Sequence, residues 1–255
     1  MIIKEYLKVD KDSLKNPIAI IGLPGIALVG KFAVDAIIDY AKPQKIADII
    51  PFDFPPRVIV NEEGVPKSLK ATVYLWKREG DRDVILITAD AQPYSIEGQY
   101  RFSKQILDFL NSLGISLVIA CAASVTTKIE GDPKVQITTA SKELLTDFQK
   151  HPLVRIFKNG IISGGNGLIP TLASEIYNMQ SICMLAETVQ ISEQIDPKAS
   201  KSILIVLNDK LNLGVDLTNI NLKIKEIEKI TKALESATTT GVMKKEKDET
   251  QAYIS

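Results

Sequence analysis

The chain has 255 residues, of which 45% are apolar, enough for one large domain with a substantial core. Lysine plus arginine and aspartate plus glutamate each total 31, so the formal net charge is zero. That balance removes the electrostatic basis for a dedicated nucleic-acid or anionic-membrane binder, and it does little to oppose self-association. The opening residues, 1–12, are too short and too charged for a secretory signal, and no apolar run approaches the ~18–20 residues of a membrane span. A cytoplasmic location is expected.

Residues 17–22 form an apolar run ending in Gly22 and read as a buried strand. Leu23-Pro24-Gly25 makes a turn, after which residues 26–40 read as a helix. A strand is expected over 45–51. Residues 57–60 and 69–76 flank Glu63-Gly64, which suggests a hairpin, and 83–88 is the next strand. Ser95 is placed to cap a helix over 96–113, whose Phe102, Ile106, Phe109 and Leu113 share one face before Gly114 stops it. Strands follow over 115–121 and 135–139, then a short helix over 142–149. A further strand is expected to end at Ile161-Ile162 and run into Gly164-Gly165-Asn166-Gly167, with a helix over 170–178. A strand over 181–186 precedes a helix that Pro197 opens and that runs to about residue 211. The last helix spans about 218–236 and carries Ile220, Ile224, Ile227 and Leu234 on one face.

Apolar strands alternating with amphipathic helices predict a three-layer α/β/α sandwich with a mixed, largely parallel sheet. One domain is expected over 1–237. Residues 238–255 are polar and charged until Tyr253-Ile254, cannot bury enough surface to offset ordering entropy, and read as a flexible tail.

Motifs with chemical meaning are sparse. Gly25 to Lys31 matches the first seven positions of a P-loop, but Phe32 stands where a magnesium-binding hydroxyl is required. Close packing of helix on strand explains the two glycines better. Gly164, Gly165, Asn166 and Gly167 before a helix form a candidate anion or ligand loop. His151, the single histidine, has no nucleophile motif or second histidine to work with and reads as a loop residue. Asp90, Glu97, Glu130, Asp132 and Glu187 lie near predicted strand ends, where α/β sites form, yet spacing does not show that they converge. Cys121 and Cys183 sit in apolar runs as buried thiols, with no disulfide framework or zinc spacing. No catalytic residue, metal ligand or cofactor is assigned.

An ordered set of segments carries more information. It comprises Ile21-Gly22-Leu23-Pro24-Gly25 through Val29-Gly30-Lys31, Ala91-Gln92-Pro93 with Gly98-Gln99-Tyr100, and Gly160 through Leu168. Leu185-Ala186-Glu187-Thr188, Asp196-Pro197-Lys198-Ala199 and Leu213-Gly214-Val215-Asp216 complete it. Together they resemble the proteasome assembly chaperone family in its archaeal branch, over roughly residues 15–235. The resemblance implies a three-layer fold similar to the phosphorylase/hydrolase-like proteins, without known catalysis. It also implies assembly with itself or a paralogue, and for some members docking on the outer α-ring of the 20S proteasome. Docking members end in a hydrophobic residue, a tyrosine and one last residue. Here Ala252, Tyr253 and Ile254 fit that pattern but Ser255 follows, which displaces the tyrosine by one position. Ala122-Ala123-Ser124 also departs from the glycines expected after the central strand. The alternative is an ATP- or nucleoside-dependent enzyme, either ATP-grasp-like or phosphorylase-like. Neither the phosphate-covering loop with spaced lysines nor a set of purine-reading groups can be assigned.

Overall fold

The computed structural model describes residues 2–189, 195–226 and 229, and the chain divides into two units, Met1–Val215 and Asp216–Ser255. In the first unit the strands are β1 (Ile2–Glu5), β2 (Ile18–Gly22), β3 (Gln44–Ile50), β4 (Val58–Val60), β5 (Pro66–Ser68), β6 (Ala71–Trp76), β7 (Val84–Ala89), β8 (Leu117–Val125), β9 (Val135–Thr138), β10 (Val154–Ile156) and β11 (Gln180–Thr188). The helices are α1 (Val29–Ala41), α2 (Ile96–Ser112), α3 (Lys142–Phe148), α4 (Gly165–Ile176) and α5 (Pro197–Leu211). Nine strands form one sheet in the order β1-β3-β6-β7-β2-β8-β11-β9-β10, while β4 and β5 form a separate two-stranded sheet.

The sheet is mixed. Its centre, β7-β2-β8-β11, is parallel, and antiparallel pairs flank it at β1-β3-β6-β7 and β11-β9. The parallel strands are buried on both faces, which explains why 18–22 and 84–89 are apolar without alternation. Alternate residues face opposite layers. Ala19 and Ile21 of β2 join Phe102, Ile106 and Leu110 of α2 and Ile169 and Ala173 of α4 in one core. Gly22, of the opposite parity, faces Gly30 and Val34 of α1, which packs with α5 on the other face. Three layers result.

Local signals explain most boundaries. The Ser95 hydroxyl accepts from the N–H of Gly98 at 3.0 Å to cap α2, and Asp196 accepts from Ala199 N–H at 3.0 Å to cap α5 with Pro197 at N1. Three expectations need correction. Residues 58–60 pair with 66–68 instead of 69–76, because the Asn61 carboxamide oxygen accepts from the N–H of both Glu63 and Val65 and closes a tight turn. Ala71–Trp76 is apolar enough to enter the main sheet between β3 and β7. The strand expected to end at Ile161-Ile162 ends at Ile156; Asn159 then takes a left-handed φ of 53° and Ile161 is exposed. Finally, α4 begins at Gly165, so the glycine run is the first helical turn and Pro170 lies inside the helix.

An interior proline cannot donate to the carbonyl four residues back. Here that carbonyl, of Asn166, accepts from the Cys183 thiol at 3.3 Å, so the acceptor is satisfied across layers. The edge strand β1 falls in the opening segment and was not anticipated; all four of its residues are exposed. In the second unit, residues 218–226 are helical, and Asp216 accepts from Thr218 N–H and Oγ1 at 2.9 and 2.7 Å. The remainder of the helix expected to 236 and the tail at 238–255 lie outside the described residues, apart from residue 229.

Candidate functional site

Strand β2 ends at Gly22, whereas β8 continues to Val125 alongside β11. Chain leaving β2 passes through α1 to β3 on one side, and chain leaving β7 passes through α2 to β8 on the other. A crevice opens at such a reversal, at the carboxyl ends of the strands. It has a volume of about 490 Å³ and is lined by Leu23, Gly30, Gln92, Ala122 to Val125, Phe157, Asn166 and Leu185 among others. A second cleft, of about 560 Å³, lies across the segment that contains Phe157, Gly160, Ile162 and Ser163, which lines both; Ile96, Gln99, Tyr100 and Leu168 are among its other lining residues.

Close backbone contact shapes the floor. A Cβ on Gly30 would sit 1.9 Å from the Cys121 carbonyl oxygen, and one on Gly22 would sit 2.2 Å from the Gly30 oxygen. Glycine at both positions lets the start of α1 rest on β2 and β8. The P-loop-like run therefore serves packing. Its Lys31 ammonium is turned to Asp35 at 2.9 Å and to the Thr88 hydroxyl at 3.0 Å.

Two carboxamides tie the loops around the crevice. Asn166 is 5% exposed; its oxygen accepts from Leu23 N–H at 3.0 Å and its nitrogen donates to Leu23 O at 3.1 Å. The Gln92 oxygen accepts from Gly165 N–H at 2.7 Å, while its nitrogen donates to Pro24 O. The α4 start at Gly164, Gly165, Asn166 and Gly167 is thus hydrogen-bonded into the β2–α1 and β7–α2 loops, with Gly167 and Leu168 N–H turned to Gly164 O. An anion there must displace Gln92 from Gly165. On the opposite layer, Asp196 N–H donates to Ala27 O at 3.0 Å and Ser200 Oγ donates to Val29 O at 3.0 Å, joining α5 to the start of α1.

The titratable candidates do not meet at the crevice. Asp90 accepts from Lys70 N–H, Glu187 accepts from Lys134 N–H and the Gln136 side chain, and Glu130 pairs with Lys128, while Glu97 and Asp132 are exposed. His151 accepts through Nδ1 from Leu153 N–H at 3.1 Å, and burial lowers its pKa. Burial raises both thiols, that of Cys183 to about 12. Among the described residues, no three His, Cys, Asp or Glu are grouped as a metal site, and no helix is long and apolar enough to cross a membrane. Ala252, Tyr253, Ile254 and Ser255 lie outside the described residues. Gln92 was missed as a site residue because a glutamine in a proline-flanked loop is an ordinary connector in sequence. Its only signal was membership of the ordered motif set.

Residues 19–235 match the sequence profile of the PAC2 family. The chain belongs to that family. It is 29% identical over 226 residues to the uncharacterized protein MJ1210 of Methanocaldococcus jannaschii, covering 89% of this chain and 83% of that one. The fold is similar to the crystal structure of Pyrococcus furiosus PbaB, described as an archaeal proteasome activator, with a TM-score of 0.84 and 28% identity over 92% of this chain and 98% of that one. Pyrococcus furiosus PbaA, described as an archaeal homolog of proteasome-assembly chaperone, superimposes with a TM-score of 0.76 over 99% of each chain; at 23% identity it speaks for the fold alone. In this PAC2 chain, motif segments separated in sequence meet around one crevice. Leu23 to Gly25, Gln92, Gly165 to Gly167 and Leu185 all lie at the carboxyl end of the central strands or in the loops that close over it.

Proposed function

We propose that this chain is a non-catalytic, proteasome assembly chaperone-like protein of the cytoplasm that assembles with itself or with a paralogue. In this reading it binds the α-ring of a 20S proteasome through tail residues Ala252, Tyr253, Ile254 and Ser255. The carrying observation is the 28% identity, across 92% of this chain, to a protein described as an archaeal proteasome activator. The tail reading rests on an aromatic and aliphatic pair at the end of an otherwise polar, charged stretch. Several such tails on one oligomer gain avidity through effective concentration even when each binds weakly.

The test compares the full chain with a version ending at Lys247 for binding to purified archaeal 20S proteasome by biolayer interferometry. Binding that disappears with the tail supports the reading, and equal affinity of the two forms overturns the tail mechanism. The enzyme alternative lacks support at the crevice, whose described lining holds no titratable side chain to act as acid, base or phosphate-binding cation. Thermal shift with ATP–magnesium, phosphate or nucleosides tests it directly, since a ligand of the native state raises the melting temperature.

A further inference from the structure

The β4–β5 hairpin is an arm. Residues 56–60 and 62–68 are all exposed, and among the described residues the two strands pair only with each other. Val58, Ile59 and Val60 are 61%, 48% and 58% exposed, with Val65 of the turn also exposed. A two-stranded hairpin standing alone in water is marginal at best, and three or more strands are needed for independent stability. This arm has consecutive apolar residues, and among the described residues nothing of its own chain covers them.

The two free edges differ. Strand β5 is Pro66-Lys67-Ser68, and a proline and a lysine are the devices that blunt an edge against pairing. Strand β4 is Val58-Ile59-Val60 and carries neither. Hydrogen-bonding direction on β4 follows from the turn. Asn61 N–H bonds to Val65 O across the hairpin, so alternation points the main-chain groups of Ile59 toward β5 and those of Val58 and Val60 toward the open edge. Pro66, opposite Val60, has no N–H to give and agrees with that alternation.

We propose that β4 is a self-association edge, at which two copies of this chain pair β4 to β4 antiparallel about Ile59. This names the surface for the self-assembly stated above and rests on that reading. In the pair, Val58 of one copy and Val60 of the other exchange main-chain hydrogen bonds, and the two Ile59 residues face each other as a non-hydrogen-bonded pair. The two arms become one four-stranded antiparallel sheet. Charge selects a second copy as the occupant. Each arm carries Arg57 at the β4 base and Glu62 and Glu63 at the tip. Antiparallel alignment about Ile59 lays the base of one arm along the tip of the other, so that opposite charges meet twice. Parallel alignment would set like charges side by side, which is destabilising between strands.

The test is Ile59→Cys in the full chain under mild oxidation. Opposed non-hydrogen-bonded residues have Cα atoms about 4.5 Å apart, within the range a disulfide spans. The two native thiols, Cys121 and Cys183, are buried. The expected result is a non-reducing gel band at twice the 28.0 kDa chain mass, absent from Lys67→Cys on the protected edge. Arg57→Glu, measured by light scattering, is expected to weaken assembly, with Glu63→Arg added to restore it. A wild-type oligomer in which Ile59→Cys gives no such band, and whose mass Arg57→Glu leaves unchanged, overturns the β4 edge while leaving self-assembly intact. A monomeric wild-type chain overturns both.

Discussion

Asn166 ties the β2–α1 loop to the start of α4 through two buried hydrogen bonds to Leu23. Replacing it with alanine removes the acceptor for Leu23 N–H and the donor for Leu23 O, both in a fully buried residue. A buried main-chain group left without a partner costs about 1–3 kcal/mol, so the pair puts the loss at roughly 2–6 kcal/mol. For a chain of this size, at about 2–4 °C per kcal/mol, that corresponds to a drop of roughly 4–24 °C in melting temperature. Urea denaturation and calorimetry of Asn166→Ala measure it, and Asn166→Asp separates the two bonds. The aspartate keeps the acceptor for Leu23 N–H but turns a second carboxylate oxygen on Leu23 O, so it should be at least as destabilising at neutral pH. It should recover relative to the wild type in acid, where the protonated carboxyl can donate. A loss below about 0.5 kcal/mol for Asn166→Ala, small beside the cost of one unpaired buried group, would refute the view that this carboxamide holds the β2–α1 loop.

Two further predictions concern buried ionisable groups. Burial pushes the Asp48 carboxyl up, but hydrogen bonds from Lys45, Lys70, Tyr6 and Thr72 outweigh it and bring the pKa down to about 2. Because the folded value lies below the ordinary 3.8, its stabilisation is complete above about pH 4 and is lost as the pH falls toward 2. The lost part is worth ~2 kcal/mol, from about 1.4 kcal/mol per pH unit. Asp48→Asn should flatten the acid limb of the stability curve by that amount, and an unchanged limb would remove Asp48 as its source. Cys121 and Cys183 are buried thiols with raised pKa values, so neither should react with a thiol reagent at pH 8 in the native protein, whereas both should react in denaturant. Rapid native labelling of one equivalent would contradict that burial.

The strand and helix order was legible where one residue or one pattern determines an element. The apolar run at 18–22, the Ser95 cap and Pro197 at the start of α5 act through nearest neighbours, so sequence alone exposes them. The hairpin partner was not legible. Residues 66–68 and 71–76 both follow the turn, and what separates them is that the second segment finds burial between β3 and β7. The start of α4 was obscured for a related reason, since glycines and an interior proline look like a loop until the Cys183 thiol and Gln92 supply the missing partners.

The ordered motif set carried the family, because it needed only identity and order along the chain. The crevice needed distance. Leu23 and Asn166 are separated by 143 positions and meet at 3.0 Å, and Gly30 has no room for a Cβ only because Cys121 lies beneath it. Sequence by itself determined the layers and the Ser95 cap, both of which follow from local pattern and residue chemistry. Only the tertiary structure decided which loops close on one another and which strand edge is left open, because those outcomes depend on hydrogen bonds and burial between segments that the chain keeps far apart.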